Sequence, residues 1–155
     1  MAVVDLLDLP SALARGETLT GLDLGEKTIG VAVSDASLMI ASPLVLIRRT
    51  KFTADAENLF RQMESRRSTA LVIGLPVNMD GSEGPRCQST RAFARNLARL
   101  KELPIAFWDE RLSTAAVTRM LTAEADASRA RRAELVDKAA AAWILQGALD
   151  RMGHP

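Results

Sequence analysis

Across residues 18–34 the apolar and polar positions alternate with a period of two, in two runs separated by a glycine turn. In the first run Leu22 and Leu24 face one way and Asp23 the other. After Gly25-Glu26-Lys27, the residues Ile29, Val31 and Val33 form one face of a second strand. Gly30, Ala32 and Ser34 form its opposite face, small enough to admit another element or a substrate backbone. A third strand is expected over 38–48, interrupted near Ser42-Pro43. Three strands joined by short turns make an antiparallel meander.

The period then changes. Ala56, Leu59, Phe60 and Met63 recur at helical spacing over 53–66. The continuously apolar run TALVIGL (69–75) has the character of a central parallel strand buried on both faces. A loop dense in turn formers (76–85) leads to Pro85, well placed at the start of a helix over 86–101. On that helix Phe93, Leu97 and Leu100 share one face, and Arg91, Arg95 and Arg99 recur on the opposite one. A short strand over 104–108 ends at Asp109-Glu110-Arg111. Ser113 or Thr114 can cap a helix running to about 123. The stretch 125–132 is polar and basic, either a mobile substrate-facing loop or a linker. The last helix (134–151) is apolar nearly all round and therefore buried, and its four successive alanines (139–142) permit close packing on a sheet. Residues 1–17 read as a leader with a short helix near 11–15. The expected fold is α/β: a mixed five-stranded sheet, three antiparallel strands then two parallel, with helices on both faces, in a single domain over 18–152.

Composition narrows the chemistry. A chain of 155 residues suits one domain with its own core. No apolar run reaches the ~18 residues of a membrane span, so no membrane association is expected. The single cysteine, Cys87, excludes an internal disulfide and fits a reducing compartment. The only histidine, His154, lies at the C-terminus, which argues against His-based hydrolysis, and the absence of tyrosine excludes a tyrosine nucleophile. Net charge is +1, but residues 86–132 hold nine Arg and one Lys against five acids, +5, leaving −4 elsewhere. Sixteen arginines against four lysines suit phosphate contacts, or equally reflect genome composition.

Three acids stand out. Asp23 in an apolar strand must offset lost hydration through a metal or through a hydrogen bond to a nearby turn. Glu110 follows the last strand. Asp137 opens the last helix on the stripe of Ala141 and Ile144, where it also suits the helix dipole. Should the sheet bring these three together, their repulsion implies bound cations, and hard oxygen ligands point to Mg2+ or Mn2+. Two such ions can activate water and stabilise the leaving oxygen of a phosphodiester. The arginine face of the 86–101 helix is either a solvated surface or a phosphate track. The 78–84 loop could offer backbone N–H groups, with Asn78 or Ser82, to a phosphate.

Four motifs together resemble the YqgF/RuvX family of the RNase H-like nuclease superfamily. They are DLGEKTIGVAVSD (23–35), GLPVNMDGSEG (74–84), DERLST (109–114) and DKAAAAWILQGAL (137–149). The resemblance implies an RNase H-like fold, a cytoplasmic location, and nuclease action in maturing the 5′ end of small-subunit ribosomal RNA. The family's older label is Holliday-junction resolvase. Carried over by motif, Asp23, Glu110 and Asp137 are the catalytic, metal-binding acids. Structured RNA, branched DNA or ribosomal precursor particles are the implied partners of a monomer or homodimer. Lys27, Asn78, Ser82, Arg91, Arg95, Arg99, Arg111, Arg129, Arg131 and Arg132 are the candidate nucleic-acid contacts. One departure is Thr28, where the family usually has Arg after Lys27. Two other readings stay open: the Asp-Leu-Gly…Gly-Val-Ala-Val stretch also resembles the phosphate loop of actin-like ATPases and sugar kinases, and a non-catalytic nucleic-acid or ribosome-binding factor would share this composition.

Overall fold

A computed structural model describes residues 3–112 and 129–153, with side chains described for all of these except 129–138. The strands are β1 (Thr18–Leu24), β2 (Thr28–Ser34), β3 (Ala41–Arg48), β4 (Ser68–Leu75) and β5 (Ile105–Asp109). The helices are α1 (Leu9–Ala12), α2 (Phe52–Ser65), α3 (Pro85–Leu100) and α4 (Arg129–Gly153), with 3-10 turns at Leu6–Asp8 and Glu110–Leu112. The strands form one sheet in the order β3-β2-β1-β4-β5. The β1–β2 and β2–β3 pairs are antiparallel, and β1–β4 and β4–β5 are parallel. The expected mixed sheet is therefore present. Its continuously apolar strand, β4, lies between two parallel neighbours, because only a strand covered on both faces needs apolar residues at every position.

Two cores flank the sheet. On one face Leu22, Ile29, Val31, Leu71 and Ile73 meet Ala56, Leu59 and Met63 of α2 and Phe93, Ala94 and Leu97 of α3. On the other, Leu19, Ala32, Ala70 and Val72 meet Ala141, Ile144, Leu145 and Ala148 of α4. The small face of β2 thus admits a helix. A Cβ on its neighbour Gly21 would lie 2.7 Å from Leu145 Cβ and 3.1 Å from the Ala141 carbonyl oxygen. The interruption foreseen near Pro43 is a register shift in an edge strand: Val31 pairs with Val45, but Ala32 pairs with Pro43.

Several boundaries differ from the sequence reading. The helix near the N-terminus is Leu9–Ala12, not 11–15, and Leu9 is fully buried. Ahead of it Val4 N donates to the Ile105 carbonyl oxygen at 2.8 Å, so the leading residues join the edge of β5. Leu100, expected on the apolar face of α3, is the last residue of the helix and is 52% exposed. The last helix begins at Arg129, so 129–132 of the basic stretch are helical and not a loop or linker; 125–128 lie outside the described residues. The expected helix from Ser113 or Thr114 to about 123 lies outside the described residues. Asp55, which the periodicity did not single out, is buried at 4% exposure and accepts from Thr50 N at 3.1 Å and Thr50 Oγ1 at 3.1 Å, tying down the start of α2.

Candidate active site

Asp23 is the penultimate residue of β1, and Glu110 directly follows β5. Parallel pairing of β1 with β4 and of β4 with β5 aligns their C-terminal ends, so the two acids meet across β4. What lies between them is Gly74. A Cβ there would be 2.7 Å from Glu110 Oε1, 3.0 Å from Glu110 Cγ and 2.5 Å from Ile144 Cδ1. The missing side chain is the space in which Glu110 lies, and there its carboxyl hydrogen-bonds the Asp23 side chain. Burial and the Asp23 charge together push the Glu110 carboxyl up to about 7, against a smaller opposing pull from the Arg86 guanidinium. Two carboxyl groups are thus held together where they share one proton more readily than they hold two charges.

The third acid is located through its backbone. Gln146 of α4 accepts from Ala41 N at 2.9 Å, level with the start of β1, and Ala141 and Leu145 sit over Gly21. Two residues further along β3, Pro43 shares a cavity with Ala139 and Ala142. The helix therefore runs antiparallel to β1. From Gly21 to Asp23 is about 6.6 Å of strand, and from Ala141 back to Asp137 about 6 Å of helix. Backbone register brings Asp137 level with Asp23; its side chain lies outside the described residues.

The predicted contacts divide sharply. Arg111 is held by its neighbour, with Nη2 donating to Asp109 Oδ2 at 2.6 Å and Nε to Oδ1 at 3.1 Å, while Nη1 reaches the Met79 carbonyl oxygen at 3.3 Å. This clamp keeps the Asp109 carboxyl below its ordinary value and ties the turn after β5 to the 76–84 loop. Arg91 is likewise engaged: it makes a two-pronged ion pair with Glu83 (2.7 and 2.8 Å) and lies over the Phe107 ring at 4.9 Å. Asn78 and Ser82 knit their own loop, through Asn78 N to the Ser82 carbonyl at 2.9 Å and Asn78 Nδ2 to Ser82 Oγ at 3.0 Å. The N–H groups of Asn78, Gly81 and Ser82 are all used inside that loop, and Gly81 has φ +90°, which favours glycine. Lys27, Arg95 and Arg99 are exposed. Arg129, Arg131 and Arg132 lie in the first turn of α4, their side chains outside the described residues.

Periodicity did not single out Gly74, Arg49 or Arg86. Gly74 carried a signal, as the glycine of an otherwise β-branched and aliphatic strand, where a missing side chain marks close approach. Cys87 is buried, and burial raises its thiol above the ordinary value, which disfavours the nucleophilic thiolate.

Three antiparallel strands followed by two parallel ones, with helices on both faces, define the RNase H-like fold, and paired carboxyl groups lie at the ends of its β1 and β5. Comparison with known proteins narrows the class. The chain belongs to the RuvX family, whose model, described as Holliday junction resolvase, matches residues 17–151. A Phenylobacterium zucineum protein named "Putative pre-16S rRNA nuclease" is 73% identical over 153 residues, covering 98% of each chain. Among solved structures, the yeast mitochondrial Holliday junction resolvase Ydc2 superposes with a TM-score of 0.51 at 10% identity, covering 96% of this chain and 85% of the other. T. thermophilus RuvC in complex with Holliday junction substrate gives 0.50 at 15% identity, covering 88% and 96%. At such identities these two likenesses speak to the fold alone. Among the described residues no helix is long and apolar enough to cross a membrane.

Proposed function

We propose that this chain is a divalent-metal-dependent nuclease of the cytoplasm that hydrolyses phosphodiester bonds in structured RNA, trimming the 5′ end of pre-16S rRNA. The observation that carries this reading is the contact of Asp23 with Glu110 in the space left by Gly74. A surface acid pair with no task would separate into water; this one is partly buried and held together, and Glu110 bears the cost in a raised pKa. Oxygen ligands on rigid strand ends suit Mg2+ or Mn2+, with Asp23, Glu110 and Asp137 holding the ions. When bound, the ions make water a stronger nucleophile and stabilise the leaving oxygen. The chain's own residues do the rest. Glu110 gives up its proton to admit a cation. Gly74 and Ile144 fix where its carboxylate lies. The Asp109–Arg111 clamp holds the 76–84 loop beside it. Exposed Lys27, Arg95 and Arg99, with Arg129, Arg131 and Arg132, carry flanking phosphates.

The substrate assignment rests on the shared name of the 73% identical relative. The family description favours a second reading, a four-way DNA junction. Matched cleavage assays on a pre-16S RNA fragment with an extended 5′ end and on a four-way junction, in Mg2+, Mn2+ or chelator, separate the two. The RNA should be cut at a defined site only with metal. Cleavage of the junction alone would move the function to DNA, and chelator-resistant cleavage would remove the metal.

A further inference from the structure

Two cavities adjoin at Pro85 and Arg86, near the C-terminal ends of β1 and β5. The larger, about 530 Å³, lies between the 76–79 loop, Arg86, Glu110 and Arg111. The smaller, about 280 Å³, is lined by Gly25, Glu26, Arg49, Arg86 and Ser89, among others. Pro85 and Arg86 line both, so the two form one trough with Arg86 where its halves meet; Glu110 lines the larger half, and the smaller is lined by Leu24-Gly25, which follow Asp23.

The charges in this trough are unevenly committed. Arg111 is clamped by Asp109, and nearby Arg91 by Glu83. Among the described residues, neither Arg49 nor Arg86 forms an ion pair with a carboxylate. Arg49 is nonetheless held in place: its Nη1 donates to the Gly25 carbonyl oxygen at 2.7 Å, and its guanidinium lies 5.6 Å from the Phe93 ring centroid. A guanidinium anchored through one nitrogen and an aromatic face keeps its other donors aimed outward, with less ordering left to complete on binding. Arg86, exposed in the first turn of α3, lines the larger cavity together with Glu110. Cations thus face the trough on both sides of Leu24-Gly25, immediately after Asp23. Arg49, just past the end of β3, thereby places a guanidinium beside the turn between β1 and β2.

Resting on the nuclease reading above, we propose that Arg49 and Arg86 form a two-arginine clamp for the nucleic-acid backbone, gripping consecutive phosphates next to the one cleaved at the acid pair. The clamp recognises phosphate geometry and not base identity, since the guanidinium fork matches phosphate and, among the described residues, no aromatic side chain lines the smaller cavity to stack on a base. It holds the strand in the smaller cavity while the reacting phosphate lies over Asp23 and Glu110.

The test uses the full chain, a 5′-extended RNA hairpin and a four-way DNA junction, with binding measured in chelator so that it is independent of cleavage. Arg49→Gln and Arg86→Gln should each flatten the salt dependence of binding by about one unit of slope, and the double variant by about two. Between 50 and 200 mM salt, each lost contact lowers the fall in affinity by about 3.5-fold. Arg49→Lys should retain the slope but not the full affinity, because a lysine keeps the charge without the fork. Melting curves confirm that each variant folds, and salt slope is a readout that lost packing alone does not move. Unchanged affinity and slope in the folded double variant, with a wild type that binds and cuts, overturn the clamp and leave the nuclease reading standing. A wild type that binds but never cuts overturns the nuclease reading, and the slopes still decide the clamp. A wild type that binds neither probe overturns both.

Discussion

Replacing Gly74 with alanine tests the site through its least conspicuous member. The new methyl would meet Ile144 Cδ1 at 2.5 Å and Glu110 Oε1 at 2.7 Å, both far ends of flexible side chains, and Glu110 Cγ at 3.0 Å. Such ends can swing aside, so the stability cost sits low in the ~1–3 kcal/mol range for overpacking, about 1 kcal/mol. For a chain of this size that is roughly 2–4 °C in Tm. The catalytic cost is larger, because Glu110 can yield only by leaving Asp23. A displacement of about 1 Å at a reacting group costs on the order of 100-fold in rate. Gly74→Ala should therefore fold, melt a few degrees lower, bind nucleic acid with an unchanged salt slope, and cut about 100-fold more slowly in Mg2+. Gly21→Ala is the matched control, since its Cβ would meet Leu145 Cβ and the Ala141 carbonyl oxygen, which cannot swing away. There the loss should lie at the upper end, about 2–3 kcal/mol, as α4 is pushed off the sheet. A folded Gly74→Ala protein that cuts at the wild-type rate would refute the claim that this glycine positions Glu110.

Further outcomes follow from the same contacts. Because folding raises the Glu110 pKa from 4.5 to about 7, the native state holds a proton that the unfolded chain has released. Metal-free stability should consequently fall as pH rises from about 4.5 to about 7, by on the order of 1–3 kcal/mol, and level off above, as read from Tm in chelator across that range. Metal binding competes with the same proton, so apparent Mg2+ affinity should increase up to about pH 7; a pH-independent affinity would contradict this. Asp55→Ala should cost about 1–2 kcal/mol by removing the acceptor for Thr50, yet leave cleavage per folded molecule unchanged. Arg91→Gln, which breaks a half-exposed pair with Glu83, should change stability by under about 1 kcal/mol.

Periodicity made the sheet legible because each strand's burial writes itself into every second or every residue. The alternation around Asp23 and the unbroken run of β4 are direct consequences of which faces are covered. The small face of Gly30, Ala32 and Ser34 foretold the close seat of the alanine-rich α4, since both express one contact from opposite sides. Less could be read of the site. That Asp23 and Glu110 touch depends on two parallel pairings, β1 with β4 and β4 with β5, and on a glycine between them whose role is to lack a side chain. The arginines were the least legible. A stripe at i, i+4, i+8 shows which residues share a helix face, but not that Glu83 reaches Arg91 or that Asp109 holds Arg111. Those partners are set by loop geometry and leave no period. For the same reason Arg49 and Arg86, on separate elements, carried no joint signal until folding placed them on one trough.

The most direct measurement is cleavage and melting of Asp23→Asn beside the wild type. The substitution keeps the shape of the side chain and leaves Asn able to donate to Glu110, while removing one of two adjoining charges. Two unit charges ~4 Å apart repel by about 4 kcal/mol at an effective dielectric near 20, and relaxation with proton sharing reduces this to on the order of 1 kcal/mol. In chelator at pH 8, where Glu110 in the wild type is ionised, the variant should melt at the same temperature or roughly 2–4 °C higher. Mg2+ should narrow that gap, since only the wild type gains fully from the ion. The variant should bind RNA normally and cut neither the 5′-extended RNA nor the junction. A clear drop in Tm in chelator, together with undiminished metal-dependent cleavage, would show that Asp23 is a structural acid and that the pair with Glu110 is not where the phosphodiester is broken.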